Sequence, residues 1–334
     1  MAGTKKQSQR RQDEFFMRRA IELAWESAGH TRPNPPVGAV VVKDGVIIGE
    51  GRHKKCGTDH AEAAALKACT ESPRGATIYV TLEPCSKPGR VGACCDAIKA
   101  AGISRVVWAC RDPNPVNRGR AARVLRKAGI ETQGGLLEDE AYPLIQAFSK
   151  HVTTGLPFVT VKLAMSLDGK ICDNFGKAAW ISSVEARKET GRLREIVDVV
   201  MVGAETVRKD NPSLLCHTKR NDDLWRAIVS RSGRLPKDAQ VFTDDARDRT
   251  LVFASPKEAL QELGRRGFMH VLCEGGLELA RHLASEGLVD EWLTVLAPIV
   301  IGGEPIQEAK HFEFGSPFSK GPDILVYAKK RTVY

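Results

Sequence analysis

HAEAAAL at 60–66 and TLEPCSKPGRVGACC at 81–95 are the runs that decide how this chain folds. The first puts His60 at the start of a helix of small, helix-favouring residues. The second closes a strand (ATIYVTL) on Pro84-Cys85, and Cys94-Cys95 then opens another helix, CCDAIKAAG. On the N-terminal side, GAVVVKDGVIIGEG carries two apolar runs around Asp44-Gly45, which is the signal of a two-residue hairpin turn. Before it, residues 13–28 place Phe16, Ala20, Ile21, Leu23 and Ala24 at helical spacing. On the C-terminal side the alternation continues through RVVWAC, RAARVLRKAG, IETQG and a helix over about 138–151. Strands alternating with helices of about ten residues predict an α/β fold, with a mostly parallel sheet covered on both faces.

The pattern breaks at Thr153-Thr154-Gly155-Leu156-Pro157 and restarts with FVTVKLAMSLDGKI. EARKETGRLREI reads as a helix, DVVMVG as a strand, HVLCEGG as a strand running into a glycine turn, and EWLTVLAPIVIGG as a further strand. The expected division is a tail over 1–12, a first domain over 13–153 and a second over 154–334.

The chain has 334 residues, 42% of them hydrophobic, and a formal charge of +9. A basic balance suits anionic partners. Lys5, Lys6, Arg10 and Arg11 fall in the polar N-terminal stretch, which is expected to be a disordered basic tail. No Lys/Arg block is interleaved with aromatics as on a nucleic-acid track, so small phosphorylated ligands rank ahead of nucleic acid. No apolar run approaches the roughly 18 residues of a membrane span, and the N-terminus lacks the apolar region of a signal peptide; a cytoplasmic protein with no membrane partner is expected. The irregular spacing of nine cysteines does not suit a secreted disulfide framework. Cys56, Cys69, Cys110, Cys172, Cys216 and Cys273 read as small, mostly buried hydrophobes.

His60, Cys85 and Cys94 offer one imidazole and two thiolates, a donor set that suits zinc and leaves a fourth position for water. The candidate segments sit at or near helix N-termini, where the partial positive charge favours thiolate. Glu62 is too close to the histidine in sequence to ligate comfortably, but it is well placed to move a proton beside a bound water. Alone, a His-x-Glu is usually a helix cap and a Pro-Cys is usually packing. Their joint occurrence in order on the right elements matches the H-x-E…P-C pattern of zinc deaminases that act on nucleobases. Unlike the usual P-C-x-x-C, Pro88 stands three residues after Cys85, and eight residues (SKPGRVGA) precede Cys94. Cys94 is preferred over Cys95 as the third ligand. A zinc site that only staples the fold, or a deaminase of RNA or DNA, are the competing readings.

NPPVGAVVVKDG, HAEAAAL, TLEPCS, Gly89-Arg90, AAGISRVVWA and DPNPV resemble the deaminase half of the bifunctional riboflavin-biosynthesis deaminase–reductase family. TGLPFVTVKLAMSLDGKI, WISS, VGAETVRKDNPSL, EGG and LAPIVIGG continue that resemblance, in order, over about 14–305. It implies a cytidine-deaminase-like three-layer domain followed by a dihydrofolate-reductase-like one. It also implies zinc-dependent deamination of 2,5-diamino-6-ribosylamino-4(3H)-pyrimidinone 5′-phosphate, then reduction of the ribosyl chain to ribityl with NADPH. By position it gives Asn34, His53, Lys87 and Arg90 to the deaminase substrate. Lys162, Asp168, Arg194, Leu214, His217 and Glu274 fall to the reductase substrate, and Ala164, Trp180, Thr206, Asp210, Gly275 and Gly276 to NADPH. Lys87 stands where the family usually has histidine, and Ala178, His217 and Ser230-Arg231 also depart from its pattern. The departures keep open a second reading, in which only the deaminase is active and the second domain serves dimerisation. The resemblance further implies a homo-oligomer formed through the reductase domain.

Overall fold

Asp44 and Gly45 both hold positive φ, 49° and 79°, as a two-residue hairpin turn requires. They join β1 (Gly38–Lys43) to β2 (Val46–Arg52) in an antiparallel pair with an irregularity between Val41 and Val42. The computed structural model describes residues 2–87, 92–166, 169–171, 181–216, 218, 221–297 and 312–330. Two units emerge, Met1–Thr154 and Gly155–Tyr334.

The first unit opens with α1 (Ala2–Trp25) and continues past the hairpin with α2 (Ala61–Lys67), β3 (Thr77–Leu82), α3 (Cys94–Ala100) and β4 (Arg105–Cys110). It closes with α4 (Arg120–Lys127), β5 (Glu131–Gly134) and α5 (Glu138–Thr154). Its sheet runs β2-β1-β3-β4-β5. β3-β4 and β4-β5 are parallel, but β1 pairs antiparallel with both β2 and β3. The expected mostly parallel sheet is therefore half antiparallel: the two-residue hairpin sets β1 against β2, and the strand order seats β1 antiparallel beside β3. Alternation along the strands sends Val40, Val42, Tyr79 and Val107 to one face, against Met17, Ala20 and Leu144. Ala39, Val41, Ile78, Val80 and Val106 face the other way, against Ala61, Ala65, Ile98 and Leu125. Helices thus cover both faces.

α1 corrects the expected disordered tail over 1–12. Its backbone is helical from Ala2, where the sequence offers Lys, Gln and Arg, all good helix formers. Gln9–Asp13 (3.0 Å) and Arg10–Glu14 (2.9 Å) bonds at i,i+4 tie that stretch to the core-facing turns. Asp13 itself is buried, where Arg105 grips it through two 2.8 Å bonds and the Tyr79 hydroxyl donates a third.

The second unit holds β6 (Phe158–Ser166), α6 (Val184–Gly191), β7 (Val199–Gly203), α7 (Ala204–Asp210), β8 (Trp225–Val229), α8 (Gln240–Thr243) and β9 (Thr250–Phe253). α9 (Pro256–Arg265), β10 (His270–Cys273), α10 (Leu277–Ser285), β11 (Glu291–Ala297), β12 (Phe312–Phe314), β13 (Phe318–Lys320) and β14 (Asp323–Lys330) follow. Its sheet is ordered β12-β14-β11-β6-β10-β7-β8-β9, with β13 paired to β14. From β11 to β9 the neighbours are parallel, and β14 adds an antiparallel edge. The helix expected over EARKETGRLREI ends at Gly191 and tightens into a 3-10 turn, Arg192–Glu195. Among the cysteines expected to be mostly buried, Cys110 and Cys273 are, whereas Cys56, Cys69 and Cys216 are half-buried. Cys172 lies outside the described residues.

Candidate active site

α2 reaches the sheet because β2 presents glycine to it. A Cβ on Gly51 would stand 2.2 Å from the Ala65 nitrogen, and one on Gly49 would stand 2.4 Å from the Ala65 oxygen. His60 is the N-cap of α2, and Glu62 lies in its first turn with 4% exposure. Cys85 follows β3 by way of Glu83-Pro84, and Cys94 is the first residue of α3. The Cys94 amide donates to Cys85 Sγ (3.2 Å) and the Cys95 amide to the Cys85 carbonyl (3.1 Å), which pins the two ligand segments together.

Ligand atoms of His60, Cys85 and Cys94 lie within 4.8 Å of one another. His60 Nδ1 is the nitrogen that faces the sulfurs, 3.2 Å from Cys94 Sγ and 3.7 Å from Cys85 Sγ. The hydrogen bond to Cys85 raises the His60 pKa against the effect of burial. Hydrogen bonding from Cys94 and His60 holds the Cys85 thiol low, and the hydrogen bond with Cys85, with burial, pushes Cys94 up. One thiolate thus forms readily and the second is opposed by its charge, a crowding that a divalent cation relieves. One imidazole and two thiols in this arrangement fit zinc with a position to spare. Cys95 is fully buried with its thiol pushed up to about 12 by burial, consistent with a packing role. Burial also raises the Glu62 carboxyl.

A cavity of about 210 Å³ opens onto these groups, lined by Asn34, His53, His60, Glu62, Cys85 and the 112–117 loop among others. His53 Nδ1 donates to the Asp59 carbonyl (3.0 Å), leaving Nε2 to accept from Asn34 Nδ2 (3.0 Å). Burial lowers the His53 pKa and keeps this neutral arrangement. Lys87 is exposed and is not among the cavity's lining residues, and Arg90 lies outside the described residues. Sequence reasoning gave no role to Glu83, Asp112, Asn114, Asn117 or Phe148, which also line the cavity. The signal for three of them was DPNPV and the asparagine after it, polar turn-forming residues immediately beyond a strand.

In the second unit, Glu274 and Gly203 lie at the carboxyl ends of the parallel strands β10 and β7, where ligands bind in open α/β sheets, and Lys162, midway along the adjacent β6, stands one residue past the Val161–Cys273 pairing. Arg194, on the 3-10 turn, grips Glu274 through 3.0 and 2.7 Å bonds and donates to the Leu215 carbonyl at 2.9 Å. Burial lowers the Lys162 pKa, with Glu274 acting against it. The structure therefore gathers Lys162, Arg194 and Glu274. Leu214 is packed in the core, which leaves only its backbone for a ligand. Gly275 is buried against Leu279, Gly276 caps α10, Ala164 and Thr206 are half-buried, and Asp210 is exposed at the end of α7. The Arg231 side chain is 91% exposed. Ala178, Asp168, Trp180 and His217 lie outside the described residues.

Residues 10–110 match the cytidine and deoxycytidylate deaminase zinc-binding region, and residues 157–313 match the RibD C-terminal domain. The chain is 35% identical over 362 residues to riboflavin biosynthesis protein RibD of Escherichia coli K12, covering 95% of this chain and 99% of that one. To the RibD of Aquifex aeolicus it is 37% identical over 350 residues, with 95% and 98% covered. Among solved structures, Acinetobacter baumannii RibD superposes with a TM-score of 0.86 at 35% identity, over 97% of this chain and 100% of that one. A Thermotoga maritima diaminohydroxyphosphoribosylaminopyrimidine deaminase/5-amino-6-(5-phosphoribosylamino)uracil reductase superposes with a TM-score of 0.88 at 36% identity, over 96% and 99%.

Proposed function

The chain belongs to the RibD family, and on that premise we propose how its two units divide the chemistry. It is an enzyme of riboflavin biosynthesis with a cytidine-deaminase-like unit and a reductase unit. A deaminase-only reading is not favoured, because the relatedness runs through both units.

Our reading gives the first unit the hydrolytic deamination of 2,5-diamino-6-ribosylamino-4(3H)-pyrimidinone 5′-phosphate. The observation that carries it is the convergence of His60, Cys85 and Cys94 within 4.8 Å beside the buried Glu62. His60, Cys85 and Cys94 would hold zinc, which would supply the Lewis acidity that activates water. Glu62, whose carboxyl burial raises, takes a proton from the attacking water and passes it to the departing amine, so water is consumed and ammonia released. Asn34 and neutral His53 orient the ring, and we assign the phosphate to Arg90 together with Lys87, an exposed cation outside the cavity's lining.

The second unit reduces the ribosyl chain to ribityl with NADPH as hydride donor. Lys162, Asp168, Arg194, Leu214, His217 and Glu274 form the substrate side. Ala164, Trp180, Thr206, Asp210, Gly275 and Gly276 form the cofactor side, with the α10 N-terminus available to a phosphate. The active form we propose is a homodimer through this unit, whose antiparallel edge exposes Phe318 and Ile324; sedimentation as a monomer refutes that point. A cytoplasmic setting suits ligands that must stay thiols, and among the described residues no helix is long and apolar enough to cross a membrane.

Supplying the diamino substrate with and without NADPH, and identifying the products, tests the whole reading. We expect the deaminated ribosyl compound alone without NADPH and the ribityl compound with it. Absence of the ribityl product removes the second step and leaves the first.

A further inference from the structure

Glu83 stands two residues ahead of the ligand Cys85, at the end of β3, and is 2% exposed. Its carboxylate ties together distant pieces of backbone. One oxygen accepts the amides of Asp112 (3.3 Å) and Gly119 (3.0 Å), and the other accepts that of Ala121 (3.2 Å). The start of a helix leaves its first N–H groups without intrahelical partners. α4 has no acidic residue in its first turn, and its N-cap, Gly119, has no side chain to do the capping. Glu83 performs that task from another strand, and its negative charge complements the helix dipole.

Between these anchor points runs the stretch carrying Asp112, Asn114 and Asn117, which line the same cavity as His60 and Glu62. The stretch stiffens itself internally. Asp112 Oδ1 accepts the Asn114 amide (2.8 Å), Asn114 Oδ1 accepts the Val116 amide (3.0 Å), and the Asn114 carbonyl accepts the amides of Asn117 and Arg118 (both 3.0 Å). A loop that is stiff within itself moves as a piece, so its place in the cavity is set where it is anchored.

We propose that Glu83 is a positioning residue of the deaminase. Through three backbone amides it seats the 112–121 segment as a wall of the cavity, and so governs substrate affinity without holding the metal. This rests on reading the first unit as the deaminase.

Glu83→Gln in the full-length, zinc-loaded chain is the test. The substitution keeps the shape but replaces one acceptor oxygen with an NH2 facing backbone donors. Amide exchange over 112–121 should quicken by about tenfold or more, and KM for the diamino substrate should rise by a similar factor, as for lost charge-assisted hydrogen bonds. A kcat that falls much less than KM rises, one zinc per chain and unaltered NADPH-dependent reduction complete the expected result. Unchanged exchange and unchanged KM overturn the proposal. So does zinc lost in step with activity, which makes Glu83 a general support of the fold. Wild-type exchange gives a reading that needs neither the variant nor a substrate. The Gly119 and Ala121 amides must be strongly protected, and exchange as fast as in an open loop overturns the clamp. If the wild-type chain releases no ammonia from the substrate, the deaminase reading fails, while amide exchange still judges the clamp.

Discussion

Replacing Glu274 with glutamine removes the carboxylate from a buried charge cluster. Arg194 and Glu274 pair through bonds of 2.7 and 3.0 Å, with side chains only 14% and 17% exposed. Lys162 is half-buried beside them, and the Glu274 charge acts on it as well, so one carboxylate serves two cations. Without it, Arg194 stays charged, because a guanidinium does not deprotonate in proteins. Breaking a buried pair by removing one partner costs about 3–5 kcal/mol, and the residual exposure here argues for about 3. At about 2–4 °C per kcal/mol for a unit of this size, the melting midpoint should fall by about 6–12 °C. The pH dependence is the sharper test. Burial lowers the folded-state pKa of Lys162 while Glu274 raises it, so the variant lowers it further. A lysine with a depressed folded pKa binds fewer protons folded than unfolded, and stability therefore rises with pH. The deficit of the variant is full below the folded pKa and shrinks toward the unfolded value of about 10.4. Melting curves near neutrality and about one unit below that value check this, beside Glu262→Gln, which alters a surface pair with Arg266. A Glu274→Gln loss no larger than that of the control, or one that does not shrink as pH rises, refutes the reasoning.

Glu62→Gln should retain its zinc while ammonia release falls by about 10²–10⁴-fold, the range for lost general acid–base help; wild-type turnover with full metal content rules out its proton-carrying role. Cys94→Ser should bind zinc weakly and lose deamination while NADPH oxidation on the deaminated intermediate persists, and loss of both activities together contradicts the division of labour. Asp13→Ala should destabilise the first unit by about 3 kcal/mol, because it leaves the mostly buried Arg105 with the exposed Glu131, at 3.4 Å, in place of a buried bidentate partner. Burial raises the Asp13 pKa, but Arg105, Tyr79 and Gln9 outweigh it and hold the carboxyl low. Its contribution is thus present above the ordinary carboxylate pKa and lost as pH falls through the lower folded value. Urea midpoints of wild type and variant should converge in acid, and a gap that stays constant with pH argues against this.

What the sequence made legible is what depends on neighbours along the chain. The Asp44-Gly45 turn, the helix starts at His60 and Cys94 and the strand ending at Cys85 each follow from a few adjacent residues. The three metal-ligand candidates were readable because two of those local starts and one strand end carry the donors. The Glu83 clamp reaches from β3 to Ala121, and the Arg194–Glu274 pair joins residues 80 apart in sequence, so neither leaves a periodic trace. The same reason hid the antiparallel seat of β1 beside β3, which depends on strand order. The N-terminal stretch was misread for a different reason. Its polar composition resembles a tail, but its residues favour helix and its i,i+4 pairs continue the core-facing turns of the same helix.

The glycines of β2 give the metal site a vulnerability that none of its ligands reveals. A Cβ on Gly51 would meet the Ala65 nitrogen at 2.2 Å, against the 3.4 Å at which ordinary contact begins, so α2 must shift by about an ångström to admit it. His60 travels with α2, whereas Cys85 and Cys94 are held together by their own backbone bonds and stay. Metal sites tolerate distance errors of only about 0.2 Å. One methyl group on the floor beneath the helix therefore detunes the metal centre while every ligand remains in the sequence, so an inventory of ligands alone overlooks the residue that sets their spacing.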